Sequence, residues 1–320
     1  MSKKMVLVTG AAGYIGGETL LRLKDQGHTV VGVDVRAAPP HLRSVADRFY
    51  QEDFSSRMGL DVIDHINPDV IVHCAGSSLV APSMTRPRDY YHNNFCKTKT
   101  LLDHLLDHRQ HRMPRIIFSS SAAVYGEPVI TPCQEEDPTW PISPYGESKR
   151  MIEMLLASYQ RAYGVDYVAF RYFNACGADS LNRHGQEPGA THIIARVLES
   201  IRNDREFVLF GDTYATADGS CVRDYVHVED IADAHVAAMD GRVAAGVYNL
   251  GTNRGVSNLE VIEVAEKITQ HRVKIMHGPN REGDPAVLTA SAEKFHKAAG
   301  WTAGYTLEDM IAHAWAWYQR

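Results

Sequence analysis

Tyr145 and Lys149, in Pro144-Tyr145-Gly146-Glu147-Ser148-Lys149, stand four residues apart. On a helix that spacing puts both on one face, a single turn from each other. An ammonium beside a phenol favours the phenolate and draws a tyrosine pKa from about 10 towards neutral. Tyr145 is therefore a candidate general base and Lys149 its electrostatic partner. The spacing alone is common in helices, so the chemistry needs a context that supplies a reacting group. Ser121, in Phe118-Ser119-Ser120-Ser121-Ala122, ends a fifth apolar run, where open α/β sheets place their ligands. Its hydroxyl can hydrogen-bond a substrate hydroxyl and help a neighbouring phenolate take that proton.

A second constellation lies at the start of the chain. Gly10, Gly13 and Gly16 follow the apolar run Met5-Val6-Leu7-Val8 and open an amphipathic stretch carrying Leu20, Leu21 and Leu23. Without a Cβ the backbone turns sharply and approaches a pyrophosphate, whose charge the helix N-terminus stabilises. The spacing is G-x-x-G-x-x-G, with Tyr14 and Ile15 between the last two glycines. Asp34 ends the second run about 20 residues on, where an acid accepts from ribose hydroxyls and repels a 2′-phosphate, favouring NAD over NADP. Arg36, two residues later, is the kind of residue that accommodates that phosphate. Asp53 and Phe54 follow the third run, placed for the adenine amino group and ring. Cys74, Ala75 and Gly76 follow the fourth and leave room for a cofactor.

The elements that must position these groups alternate. Short apolar runs recur at Val70–Val72, Arg115–Phe118 and Tyr167–Phe170, separated by helical stretches near 57–66, 88–110 and 145–162. Strand alternating with helix implies an α/β, Rossmann-like doubly wound parallel sheet. After Phe173 the pattern changes to a Gly-rich loop (177–190), then mixed helices and short strands. We expect a cofactor domain over 1–175, to which 225–250 returns, and a smaller mixed C-terminal domain over 176–320.

Composition limits the partners. The net charge of −6 argues against a nucleic-acid or anionic-membrane surface. Residues 5–9 are too short an apolar run for a signal or a membrane span, and Gly10 ends it, so a cytoplasmic protein is expected. Five widely spread cysteines with no C-x-x-C pair read as reduced thiols. His104 and His108 could clip a metal, but Asp103, Asp107 and Arg112 around them read as a solvated face, and no metal is expected.

Together, Thr9–Gly16, Ser119-Ser120-Ser121-Ala122-Ala123-Val124-Tyr125-Gly126 and the Pro144–Lys149 stretch resemble the extended short-chain dehydrogenase/reductase enzymes. Arg171–Ala178, Gly219–Asp230 and Arg281–Ala286 narrow the resemblance to NAD-dependent nucleotide-sugar 4-epimerases. The likeness implies Ser121, Tyr145 and Lys149 as the catalytic set. It implies NAD contacts from Gly10, Gly13, Tyr14, Ile15, Gly16, Asp34, Asp53, Phe54, Cys74, Ala75, Gly76, Asn94, Tyr145, Lys149 and Tyr172. It implies that Asn174, His192, Phe210, Arg223, Arg281 and Asp284 hold the UDP group of a UDP-sugar, with arginines from separate loops clamping the diphosphate. The activity implied is reversible 4-epimerisation of a UDP-hexose through a transient 4-keto sugar, in a homodimer paired through the 88–110 and 145–162 helices. Two positions depart from the common pattern: Val35-Arg36 follows Asp34, and Ser78 stands where a lysine is frequent. Leu288 falls near a position that gates N-acetylated sugars. UDP-N-acetylhexosamine and UDP-pentose epimerases stay open, as does a dehydratase, although Ala122-Ala123 replace its usual acid pair. A non-catalytic NAD-sensing protein would not need the Tyr145–Lys149 pair.

Overall fold

In a computed structural model, which describes residues 2–108, 112–280 and 285–320, the apolar runs of the first half are parallel strands of one seven-stranded sheet. They are β1 (Met5–Thr9), β2 (Thr29–Asp34), β3 (Arg48–Gln51), β4 (Val70–His73), β5 (Arg115–Ser121) and β6 (Tyr167–Tyr172). The central strands read as continuous Val, Ile and Leu because helices cover both faces, leaving no side for polar residues. β3 exposes Arg48 and Gln51, which suits its place at the edge. The order is Gly246–Leu250, β6, β5, β4, β1, β2, β3. It reverses between β1 and β4, opening a crevice at their carboxyl ends. The register sets the candidate residues along that rim: Thr9 faces His73, Asp34 faces Gln51, and Ser121 faces Tyr172.

The helix that carries Tyr145 runs over Pro144–Tyr163. Ser143 caps it by accepting from the Gly146 amide at 3.2 Å, Pro144 pre-sets the first turn, and Gly164 closes it at φ 74°. The stretch expected as one helix near 88–110 is built differently. Short turns at Val80–Thr85 and Pro87–Tyr90 lead into a π-helical segment, Tyr91–Cys96, before the helix Lys97–Asp107. The widened turn aims two consecutive side chains, Asn93 and Asn94, at the loop after β4.

The chain crosses between two cores. The helix Val228–Ala238 packs on the helix Tyr14–Asp25, Ile231 and Ala234 joining Leu20 and Leu23, and the strand Gly246–Leu250 completes the large sheet. The helix Glu293–Ala299 returns as well, burying Phe295 in that core, which the sequence pattern does not suggest. The second core gathers Val197, Leu198, Val261 and Ile311 from the helices Ile193–Arg202, Asn258–Thr269 and Leu307–Tyr318. A small sheet joins Gly255–Ser257, Val222–His227 and Val287–Leu288, with Asn174–Cys176 beside the middle strand. These strands escape sequence reading because they are two or three residues long or, in Val222–His227, carry an arginine and an aspartate. Among the described residues no helix is long and apolar enough to cross a membrane.

Candidate active site

The rim of the large sheet opens into a cavity of about 780 Å³. At its floor Gly10 adopts φ 71°, and a Cβ there would lie 2.7 Å from the Ala75 amide nitrogen. A Cβ on Gly16 would lie 2.2 Å from the Gly10 carbonyl oxygen. Neither position admits a side chain, so the loop stays open to a phosphate at the start of the helix. Gly13, Tyr14, Ile15, Cys74, Ala75 and Gly76 line the same wall. The Tyr14 hydroxyl donates to the Gly177 carbonyl at 2.8 Å and so ties this wall to the second half of the chain.

Asp34 is fixed before any ligand arrives. Its Oδ2 accepts from the Ala12 amide at 3.0 Å and its Oδ1 from the Arg36 amide at 2.9 Å. The Arg36 guanidinium lies against it at 3.2 and 3.3 Å while remaining largely exposed. Asp53 is held by Lys97 at 2.7 Å and by Ser55, and these donors keep its carboxyl below the usual range against the opposing effect of burial. Phe54 turns edge-on to His73 beneath the cavity, their ring centres 4.8 Å apart. His73 itself bridges Thr9 and Thr98, and burial pushes it down to about 3, so it serves as a neutral strut.

Tyr145, Ser121 and Lys149 line the same cavity, with Lys149 beside Gly76. Lys149 Nζ donates to the Ser119 carbonyl at 2.7 Å and lies 5.8 Å from the centre of the Tyr145 ring. Burial pushes this ammonium down to about 8. The Tyr145 phenol is held above its ordinary value, contrary to what the four-residue spacing suggests. Burial raises it and outweighs the hydrogen bond from Ser121 that lowers it, while the Lys149 ammonium is turned to a carbonyl. Tyr172 lines the cavity with its ring and sends its hydroxyl inward to Ser119 Oγ at 2.9 Å and His235 Nε2 at 2.5 Å.

Asn94, an expected cofactor contact, is held by protein partners in this structure. It is 1% exposed and lies against Gly76 of the cavity lining. Its Oδ1 accepts from the Ser77 amide at 2.7 Å, while its Nδ2 donates to the Ser77 carbonyl and to Ser148 Oγ. It joins the loop after β4 to the catalytic helix, and its neighbour Asn93 lines the cavity instead.

Asn174, His192 and Arg223 line both this cavity and an adjoining one of about 190 Å³, which also takes in Phe210. Arg223 donates to the Val222 and Pro285 carbonyls at 2.9 and 2.7 Å. Arg281 and Asp284 lie outside the described residues. Sequence reasoning missed Arg196, whose guanidinium stacks 5.1 Å from Phe207 and 5.7 Å from Phe210 in the smaller cavity. The available signal was an arginine within the apolar spacing of the helix Ile193–Arg202. The i,i+4 histidines on the Lys97–Asp107 helix and just beyond it are engaged locally: His104 with Asp64 at 2.9 Å, and His108 with the His104 carbonyl at 3.1 Å. Asp64, His104 and His108 lie together as a group that could hold an ion, remote from both cavities.

The model of the NAD dependent epimerase/dehydratase family matches residues 6–251. The chain is 45% identical to a UDP-glucose 4-epimerase of Halalkalibacterium halodurans, the match covering 98% of this chain and 95% of that one. It is 39% identical to the UDP-glucose 4-epimerase of Streptococcus mutans, covering 98% and 96%. Among solved structures it resembles a UDP-glucose-4-epimerase from Stenotrophomonas maltophila with bound NAD and formylated UDP-arabinopyranose. That likeness has a TM-score of 0.93 at 33% identity and covers 99% and 98% of the two chains. The UDP-glucose 4-epimerase of Bifidobacterium longum in complex with NAD+ and UDP superposes with a TM-score of 0.90 at 36% identity, covering 98% of each chain. A family match over more than half the chain, on a sheet whose switch point carries the glycine loop and the tyrosine–lysine wall, makes this chain a member of the NAD-dependent epimerase/dehydratase family.

Proposed function

We propose that this chain interconverts UDP-glucose and UDP-galactose by reversible 4-epimerisation through a transient 4-keto sugar, with NAD as its cofactor. The observation that carries the reading is a single cavity. The Gly10–Gly16 loop and Asp34 form one part of it, Tyr145, Ser121 and Lys149 another, and Asn174, His192 and Arg223 a third. The residues fit NAD: two glycines with no space for a side chain would leave room for the pyrophosphate, and the anchored Asp34 carboxylate would accept from the ribose. When bound, NAD+ supplies the acceptor, and then the donor, of the hydride at the sugar C4.

This chain's residues manage the proton and the orientation. Tyr145 as phenolate removes the proton of the 4-hydroxyl, with Ser121 hydrogen-bonding the same oxygen. Burial holds the Tyr145 phenol above its ordinary value, so its ionisation depends on Lys149, whose ammonium lies 5.8 Å from the ring centre and would favour the phenolate. The smaller cavity, with Phe210 and Arg196, anchors the nucleotide together with Asn174, His192 and Arg223, while the keto sugar turns about its link to the diphosphate. Arg281 and Asp284 belong to the same proposed UDP set. Once the turned sugar has regained its hydride on the opposite face of C4, Tyr145 gives the proton back to the 4-oxygen. Residues 1–175 with 225–250 form the NAD-binding part in this reading, and 176–320 the UDP-sugar part. We place the protein in the cytoplasm as a homodimer, without a nucleic-acid or membrane partner. Five free thiols and the exposed Met154 and Tyr163 on the Pro144–Tyr163 helix support location and pairing respectively.

Proton NMR of the purified protein with UDP-galactose tests the activity: the anomeric signal of UDP-glucose should grow to an equilibrium mixture. Conversion of UDP-N-acetylglucosamine or UDP-xylose alone would reassign the sugar, and no conversion of any of the three would remove the reading. Asp34 can be tested separately. Asp34→Asn removes a charge-assisted acceptor worth about 1.5–3 kcal/mol, which corresponds to a roughly 10- to 100-fold weaker hold on NAD. It also frees Arg36 for a 2′-phosphate, so NADP should gain relative to NAD in equilibrium titrations. An unchanged preference would take the ribose contact away from Asp34.

A further inference from the structure

Three carboxylates that neither cavity uses come together at the seam between the two cores. Glu18 stands on the Tyr14–Asp25 helix, Asp179 on the loop after Asn174–Cys176, and Glu229 in the first turn of the Val228–Ala238 helix. All three are buried, and one oxygen from each lies within 4.8 Å of the other two.

Two of the three have their donors. Asp179 accepts from the Leu181 and Arg183 amides at 3.1 and 3.0 Å and from the Arg183 guanidinium. Glu229 accepts from the Ser180 amide and the Tyr305 hydroxyl. Glu18 differs. It is 1% exposed, and its Oε2 has no hydrogen-bond partner among the described residues. A buried carboxylate oxygen without a donor is costly, and protein interiors rarely leave one so.

The surrounding charges do not supply what is missing. Arg183 is shared between Asp179 and Asp25, and Arg22 is taken by Asp233. His227 accepts the Glu229 amide on Nδ1 at 3.1 Å, so in this arrangement it is neutral. Negative charge is therefore in excess where three oxygens converge. A shared proton would join two of the three oxygens, whereas a cation would engage all three.

We infer that Glu18, Asp179 and Glu229 bind a hard divalent cation of calcium size. Calcium accepts carboxylate oxygens in flexible geometry, which suits a buried site built from three protein carboxylates. Magnesium demands near-ideal octahedral geometry and usually keeps several waters, which an all-protein cluster among buried residues does not suit. Held there, the cation joins the helix that follows the glycine loop to the segment leading to Gln186 and His192 on the other side of the cavity. It takes no part in the proton or hydride chemistry.

The test uses the full chain with its cofactor, dialysed against chelator and then titrated with calcium chloride. Magnesium chloride and sodium chloride at matched ionic strength serve as the comparisons. Calcium alone should raise the melting temperature by about 5 °C at saturation. Terbium should give luminescence sensitised through Tyr305, and both effects should be lost in Glu18→Gln. Equal shifts with all three salts overturn the inference. So does a parent that ignores calcium while Glu18→Gln melts at or above it, the behaviour of a carboxyl sharing a proton. If that variant does not fold, elemental analysis of the parent decides: one calcium per chain after dialysis into calcium buffer supports the site, and none above buffer level overturns it.

Discussion

Tyr145→Phe is expected to lower turnover by about 10²- to 10⁴-fold, the usual contribution of a positioned acid–base group and equivalent to about 3–5 kcal/mol of barrier. The substitution removes one oxygen and little else. The ring stays edge-on to Tyr90, their centres 6.4 Å apart, and Lys149 keeps its 2.7 Å bond to the Ser119 carbonyl. UDP affinity, which the reading assigns to Asn174, His192, Phe210 and Arg223, should therefore change by less than a few-fold. Calorimetric titration with UDP beside NMR turnover with UDP-galactose separates the two effects. A variant within tenfold of the parent's turnover would show that another group takes the proton. A variant that loses UDP affinity as well would move Tyr145 from chemistry to binding.

That prediction rests on a site whose parts differ in how far the sequence reveals them. The glycine loop and Asp34 are legible because their chemistry is local: a tight turn after one strand and an acid at the end of the next are set by residues within about 30 positions. Ser121 and Tyr145–Lys149 are legible as a family pattern, and the sheet register that brings them to one rim follows from strand order. The ionisation of Tyr145 is not legible, because burial, a property of the packed whole, outweighs the Ser121 hydrogen bond while Lys149 is turned to the Ser119 carbonyl. Asn94 shows the same limit at the level of direction. It sits where a regular helix is expected, but the turn over Tyr91–Cys96 is π-helical, and its neighbour Asn93 is the one that lines the cavity. Arg196 is hidden for another reason. Its partners Phe207 and Phe210 lie on the following strand, and only the closed fold stacks them on its guanidinium.

Glu153→Ala is expected to destabilise the fold by about 3–5 kcal/mol, the cost of leaving a buried charge without its partner. Glu153 follows Lys149 by one helical turn and is 1% exposed. It receives Arg171 in a two-pronged pair at 3.0 and 2.8 Å, with Ser120 Oγ adding a bond at 2.6 Å. Arg171, itself 3% exposed, also reaches the Tyr125 hydroxyl and the Glu135 carbonyl. The three residues precede or follow the working groups closely: Ser120 beside Ser121, Arg171 beside Tyr172, and Glu153 on the helix of Tyr145. Truncating Glu153 strands the guanidinium, whereas Glu153→Leu with Arg171→Met removes both charges and should recover most of the loss. Urea unfolding of the two variants measures this directly, and a single variant within about 1 kcal/mol of the parent would reduce the pair to a surface-like contact. The double variant carries the sharper test of function. If the pair only stabilises, its turnover should match the parent once it is folded. If the pair also sets the angle between the helix and the strand ends, turnover should fall while the melting temperature holds, because a base displaced by 1 Å loses reactivity without losing its packing.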